Sequence, residues 1–213
     1  STDYVYDPRH RRLPQSEDDA VFSERDDYGG DKRRAEIVIL GSGDADHVEA
    51  TIVRPPHVYG PGSLPGTIPR HGRTATLLDD IVQGTPLFLL QGGLGLIQPI
   101  HVDDLACILF ALIDKPETLN EAINCAGPEL MTHADYYIEI ARCVGRPVTI
   151  VPYFPTDEDA VNAYVSGHRY YDLSKLSRSL PGFPYTPFGS GVADWVRQLK
   201  DKRRREPATD RIH

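Results

Sequence analysis

Tyr28-Gly-Gly-Asp-Lys32, with Arg54-Pro-Pro-His-Val-Tyr-Gly-Pro-Gly62 after it, is the stretch on which the reading of this 213-residue chain turns. Residues four apart on a helix share a face, so the Tyr28 phenol and the Lys32 ammonium are placed to point into one cleft. A free phenol ionises only near pH ~10 and is a poor base at neutral pH. A neighbouring cation stabilises the phenolate, and the pair then suits general acid/base work on alcohols and carbonyls. The spacing alone is not selective, because Tyr171-Asp-Leu-Ser-Lys175 repeats it. Context separates the two copies. Ahead of Tyr28 stands Ser1-Thr-Asp-Tyr-Val-Tyr6, expected to supply a hydroxyl at a strand end. After Lys32 come a helix and the strand–turn at Arg54–Gly62. Tyr171 has no such company and is read as a residue entering a surface helix.

Working outward, residues 1–27 are acidic and loop-like. A helix is expected from Asp27 to about Leu40, stopped by Gly41 and Gly43. Ile37-Val-Ile-Leu-Gly-Ser-Gly43 imitates a strand entering a glycine turn, but Asp46 stands where a dinucleotide fingerprint needs its third glycine. It is therefore read as the end of the Lys32 helix. Val48–Arg54 reads as a buried strand, and a Pro/Gly-rich loop spans Pro61–Gly72. A helix at Thr76–Gln83 and strands at Leu87–Leu90 and Ile97–Ile100 follow. Asp103 or Asp104 is expected to cap a helix whose apolar stripe is Leu105, Ile108, Leu109 and Leu112. Glu121–Cys125 and Val148–Val151 read as strands. Thr132 with Asp135 has the form of a capping box, opening a helix with Tyr137, Ile140, Ala141 and Val144 inward and Gly145 at its end. Helices near Leu173–Leu180 and Phe188–Lys200 complete an α/β alternation with a mainly parallel sheet.

Hydrophobic residues make up 40% and charged residues 25%, ordinary for a globular domain. The net charge of −8 argues against a general nucleic-acid-binding role, which needs a concentrated basic face. The basic run Lys200–Arg205 is read as a solvated helix end whose cations complement the dipole. No apolar run reaches the length of a membrane span, and the opening lacks a signal-peptide pattern. The expectation is a cytoplasmic protein with neither a membrane nor a nucleic-acid partner. Cys107, Cys125 and Cys143 sit among apolar residues, with neither disulfide nor metal spacing, and are read as small core residues.

The order Ser1–Tyr6, Tyr28–Lys32, Arg54–Gly62, then Pro99-Ile-His-Val-Asp-Asp-Leu-Ala106 and Asn124-Cys-Ala-Gly127 resembles the extended short-chain dehydrogenase/reductase family, in its NAD-dependent epimerase/dehydratase branch. The similarity runs from Ser1 to about Lys200. It implies a Rossmann-like doubly wound parallel sheet, with its N-terminal strands missing, beside a smaller α+β substrate domain. Residues 1–60 and 101–128 would form the remainder of the dinucleotide-binding domain, 61–100 and 129–200 the substrate-binding domain, and 201–213 a polar tail. The implied cofactor is NAD or NADP and the implied partner a small-molecule substrate. By matching position, Thr2 would hold the reacting oxygen, Tyr28 would move the proton, and Lys32 would bind the nicotinamide ribose and tune Tyr28. Pro55, Pro56, His57 and Val58 would lie beside the nicotinamide. His101 and Asp103 are read as the start of a helix packed on the sheet. Members of this branch often pair through a four-helix arrangement that includes the Tyr–Lys helix, so the resemblance admits a homodimer.

Two departures bear on the substrate. Members acting on nucleotide sugars usually carry Asn where this chain has His57, and often Arg where it has Ile97. Arg73, Arg169 and Arg70 are candidates to replace the lost charge, and His57 is a candidate substrate contact or second acid/base. Sugar derivatives, small aldehydes or ketones and acyl thioesters all fit, as do epimerisation, dehydration and reduction. Ser1 falls where the family pattern's fifth strand should be ending, which leaves roughly 100–120 residues of that pattern, a whole domain's worth, ahead of it. The faces of the 48–54 strand and the 103–113 helix are then expected to be exposed and apolar. An alternative of a different class is a non-catalytic or truncated member acting as a binding or regulatory module.

Overall fold

The computed structural model of the protein describes residues 1–41, 49–67, 73–154 and 168–205. The chain opens with a single 3-10 turn at Asp3–Val5, and the first helix, α1, spans Tyr28–Gly41. Asp27 starts α1 by accepting the Gly30 N–H on its Oδ1 at 3.0 Å, which satisfies a donor that has no partner inside the helix. Three parallel strand pairs follow. Ile52–Arg54 (β1) pairs with Ala122–Asn124 (β6), and Val58–Tyr59 (β2) with Ile100–His101 (β5). Leu87–Leu90 (β3) pairs with Ile150–Tyr153 (β8). Leu96–Ile97 (β4) and Met131–Thr132 (β7) are antiparallel. The remaining helices are Leu77–Gln83 (α2), Val102–Leu112 (α3), His133–Val144 (α4), Ser174–Ser179 (α5) and Phe188–Arg205 (α6).

The apolar side chains gather in two main cores. One joins Val53, Ile100, Ile108, Leu112, Ile123, Cys125 and Leu176, so α3 and α5 pack on the β1–β6 pair. The other is built on Trp195, Tyr136, Tyr137, Ile140, Leu77 and Leu89, from α6, α4, α2 and β3. Neither core is confined to one stretch of the chain: Tyr59 joins the second, while Ile100 and, through α5, Leu176 join the first. A smaller cluster of Val5, Tyr6, Ala126 and Tyr171 lies under the opening turn.

Several local expectations are met. The Thr132–Asp135 capping box forms with both reciprocal bonds, and Gly145 closes α4 in the left-handed conformation at φ 83°. Ile37–Gly41 is helical, as the end of α1, whereas Gly43 and Asp46 lie outside the described residues. Arg70 also lies outside them.

Others are corrected. The Ser1–Tyr6 segment forms a 3-10 turn at Asp3–Val5 and not a strand end, because Thr2 caps it through the Tyr4 N–H while the Asp3 carboxylate is drawn to the distant Arg169. His101, not Asp103 or Asp104, caps α3, with its Nδ1 3.3 Å from the Asp103 N–H. Asp104 is buried and instead accepts the Thr186 N–H and hydroxyl, each at 2.8 Å. Tyr171 is core and not surface, its hydroxyl donating to the buried Asp3 carboxylate. Of the cysteines only Cys125 is buried; Cys107 is exposed on α3 and Cys143 is half-buried. The last helix continues to Arg205, taking in the first residues of the supposed polar tail. Ile52 and Val53 are buried, contrary to the expected exposed strand face, whereas Leu109, Phe110 and Ile113 of the next helix region are exposed as expected. Among the described residues no helix is long and apolar enough to cross a membrane.

Candidate active site

The start of α1 lies directly against the opening turn. A Cβ built on Gly29 would overlap the Tyr4 carbonyl, and one on Gly30 would overlap the Arg25 carbonyl. Only glycine permits this approach. It brings Tyr28 beside the turn, with its ring edge-on to Tyr4 at 5.9 Å between centroids. Thr2 caps that turn from extended backbone, its hydroxyl oxygen 3.4 Å from the Tyr4 N–H and 3.3 Å from Asp3 Oδ1. The Asp3 N–H donates to the Pro55 carbonyl at 3.2 Å, joining the turn to the segment that follows β1.

These contacts surround a cleft of about 660 Å³. Thr2, Tyr28, Pro55, Pro56, His57, Val58, Arg73 and Arg169 all line it, so of the described residues proposed from sequence for catalysis, cofactor or substrate only Lys32 stands outside. Lys32 borders a second cavity of about 480 Å³, lined mainly by apolar groups of α1, β1 and α3. The two cavities share Ser1 and Pro55. The Lys32 ammonium nevertheless lies over the Tyr28 ring, 5.5 Å from its centroid. Tyr28 is 53% exposed, so its phenol is open to a ligand.

Below the cleft the polar groups are committed to one another. Arg169 donates to Asp3 through Nε and Nη2 at 2.8 and 3.0 Å, and both side chains are buried. Burial alone would raise the Asp3 carboxyl; the charges of Arg169 and Arg11, with hydrogen bonds from Arg169 and Tyr171, outweigh it and hold the group below its ordinary 3.8. Arg73 donates through Nη2 to the Val58 carbonyl at 2.8 Å. His57 is buried with Nε2 3.2 Å from the Tyr136 hydroxyl. Its burial, reinforced by the charges of Arg169 and Arg73 and by His133, drives it well below 6.5. A neutral imidazole of this kind is a hydrogen-bonding contact and not a proton store at neutral pH.

Tyr4, Gly66, Thr67 and His133 line the cleft without having been singled out in the sequence. His133 Nδ1 lies 2.8 Å from the Thr67 hydroxyl, and burial, with the Arg169 charge, lowers it to about 3. Its one sequence signal was its place right after the Thr132 cap, at a helix start where side chains face neighbouring loops. Thr67 carried none, and Tyr4 only its place inside the Ser1–Tyr6 motif.

A model described as the NAD dependent epimerase/dehydratase family matches residues 1–126. No curated protein sequence matches the chain. Among solved structures, UDP-glucuronic acid 4-epimerase from Bacillus cereus in complex with NAD is similar at 21% identity and a TM-score of 0.74, over 98% of this chain and 60% of its own. An epimerase from Methanothermobacter thermautotrophicus gives 19% identity and a TM-score of 0.79, over 96% of this chain and 59% of its own. The structure of RMD from Pseudomonas aeruginosa complexed with NADPH gives 14% and 0.73, over 95% and 65%. The fold is thus the Rossmann-type one of these proteins, and this chain spans about 60% of the length of the first of them.

Proposed function

The chain belongs to the NAD dependent epimerase/dehydratase family, and on that premise we propose that the protein is a nicotinamide-dependent enzyme acting on a C–OH/C=O group of a small sugar-derived substrate. One observation carries the reading: Thr2 and Tyr28 line one cleft while the Lys32 ammonium lies 5.5 Å from the Tyr28 ring centroid. In this reading the Tyr28 hydroxyl exchanges a proton with the substrate oxygen. The Thr2 hydroxyl hydrogen-bonds the same oxygen, and Lys32 supplies the nearby positive charge that a developing phenolate needs.

The residues present suit the nicotinamide end of NAD or NADP. Pro55 and Pro56 offer an apolar wall without N–H groups, His57 and Val58 continue it, and Lys32 borders the adjoining cavity. When bound, that cofactor would supply the hydride acceptor and donor. Arg169 is already paired with Asp3, so Arg73 is the cation this reading assigns to an acidic substituent of the substrate, with His57 as a neutral contact. Pairing of two copies through α1 belongs to the same reading, and Ile37 and Val38 lie exposed on that helix.

The test is turnover of a panel of UDP-sugars and simple sugars in the presence of NAD or NADP. The wild-type protein should convert at least one, and Tyr28→Phe should lower the rate by about 10²-fold or more with the fold intact. Full turnover by Tyr28→Phe would remove Tyr28 from the chemistry.

A further inference from the structure

Glu36 is 1% exposed although it lies on α1 one turn beyond Lys32, among outward residues such as Ile37 and Val38. Its carboxylate accepts from four donors. Arg54 donates through Nε at 2.8 Å and Nη2 at 2.7 Å, the Ser1 hydroxyl at 2.6 Å, and Arg33 Nη1 at 2.9 Å. A carboxylate has about four lone-pair sites, so none is left over.

The donors come from three separate segments. Ser1 directly precedes Thr2; Arg33 directly follows Lys32; Arg54 directly precedes the Pro55–Val58 run. Arg54 reaches further, donating Nη1 to the Tyr6 hydroxyl at 3.0 Å, which in turn donates to Asn124 Oδ1 at 2.5 Å on β6. We propose that Glu36 is the positioning residue of the site, a single buried carboxylate that fixes Thr2, the Tyr28–Lys32 helix and the Pro55–Val58 turn relative to one another. This rests on the functional reading above, since it gives those three segments a common purpose. Glu36 itself touches no reacting group. Burial would raise its carboxyl, but the hydrogen bonds from Arg54 and Ser1 and the Arg54 charge outweigh that and keep it ionised.

Glu36→Gln tests the assignment, because it keeps the size but turns one acceptor into a donor facing Arg54 or Ser1. The 213-residue chain is followed by NMR through the Thr2 methyl, the Tyr28 ring and the Lys32 ε-methylene, with calorimetry of NAD+ and NADP+ alongside. The variant should lose the Lys32–Tyr28 cross-peaks and shift the Thr2 methyl, while the Ile140 and Val192 methyls of the other core stay in place. Its affinity for the nicotinamide cofactor that wild type binds should fall by about tenfold or more. Ser1→Ala, a milder change, should shift the Thr2 methyl and leave the Lys32–Tyr28 cross-peaks intact. Unchanged Thr2, Tyr28 and Lys32 signals in Glu36→Gln would overturn the proposal, as would equal movement of Ile140 and Val192, which would signify general loosening. A Thr2 methyl unmoved by Ser1→Ala would overturn the link to Thr2. Wild-type protein that binds neither NAD+ nor NADP+ would sink the functional reading, while the NMR result would still decide the role of Glu36.

Discussion

Asp3 and Arg169, 166 positions apart in sequence, meet as a buried bidentate ion pair next to the Thr2 hydroxyl. The Tyr171 hydroxyl donates to the same carboxylate, and the Arg169 guanidinium lies 5.2 Å from the Tyr4 ring centroid. One ion pair therefore ties the opening turn to the segment ahead of α5. Removing one partner of such a pair leaves the other charge buried and uncompensated.

Asp3→Asn should for that reason cost about 3–5 kcal/mol, read by chemical denaturation. The pH dependence has a definite sign. The folded Asp3 carboxyl lies below 3.8, so its contribution is complete above that value and is lost as the pH falls through the folded value. Wild type should lose stability in acid more steeply than Asp3→Asn. Equal acid slopes would contradict this.

His57 and His133 work in the opposite chemical sense with the same direction in pH. Both are held neutral, His133 down to about 3, whereas the unfolded chain takes up protons near 6.5. The unfolded state binds more protons in that window, so stability should fall as pH drops from 6.5 toward the folded values, by up to about 1.4 kcal/mol per pH unit for each ring. His133→Gln should flatten the curve there. NMR titration should show neither imidazole protonating near neutral pH.

Gly29→Ala forces a methyl into the Tyr4 carbonyl. The expected cost is about 1–3 kcal/mol, with α1 displaced from the opening turn. Thermal unfolding reads the first effect, and loss of turnover beyond the loss of folded protein reads the second.

The two Tyr-x-x-x-Lys copies should part company under mutation. Tyr171→Phe removes a buried hydrogen bond to Asp3 and should cost about 1–3 kcal/mol while leaving turnover per folded molecule near wild type. Tyr28→Phe should do the reverse, since Tyr28 is 53% exposed and its ring is held by Tyr4 and Lys32. Swapped outcomes would reverse the assignment of the copies.

What the sequence revealed was whatever depends on neighbours along the chain. Thr132 and Asp135 cap α4 as their spacing requires, and Gly145 ends that helix in left-handed backbone. The cleft residues Thr2, Tyr28 and Pro55–Val58 were legible because ordered motifs carry them. Contacts between distant residues were not. Nothing local distinguishes Asp3 or Glu36 from other acidic residues near the N-terminus; their burial follows from Arg169 and Arg54 arriving from elsewhere. Tyr171 misled for the same reason, since its partners are Asp3 and Gln98 and not the residues of α5 beside it. Asp104 likewise looked like a cap because Thr186, its actual partner, lies far along the chain.

The central claim, that a nicotinamide cofactor binds against Tyr28 and Lys32, is tested most directly by calorimetry of NAD+ and NADP+ with the wild-type chain and with Lys32→Ala. The account predicts that one of the two binds wild type with a Kd on the order of 1 μM, about −8 kcal/mol, and binds Lys32→Ala at least about tenfold more weakly. No binding of either by folded wild-type protein, or equal binding by Lys32→Ala, would contradict it.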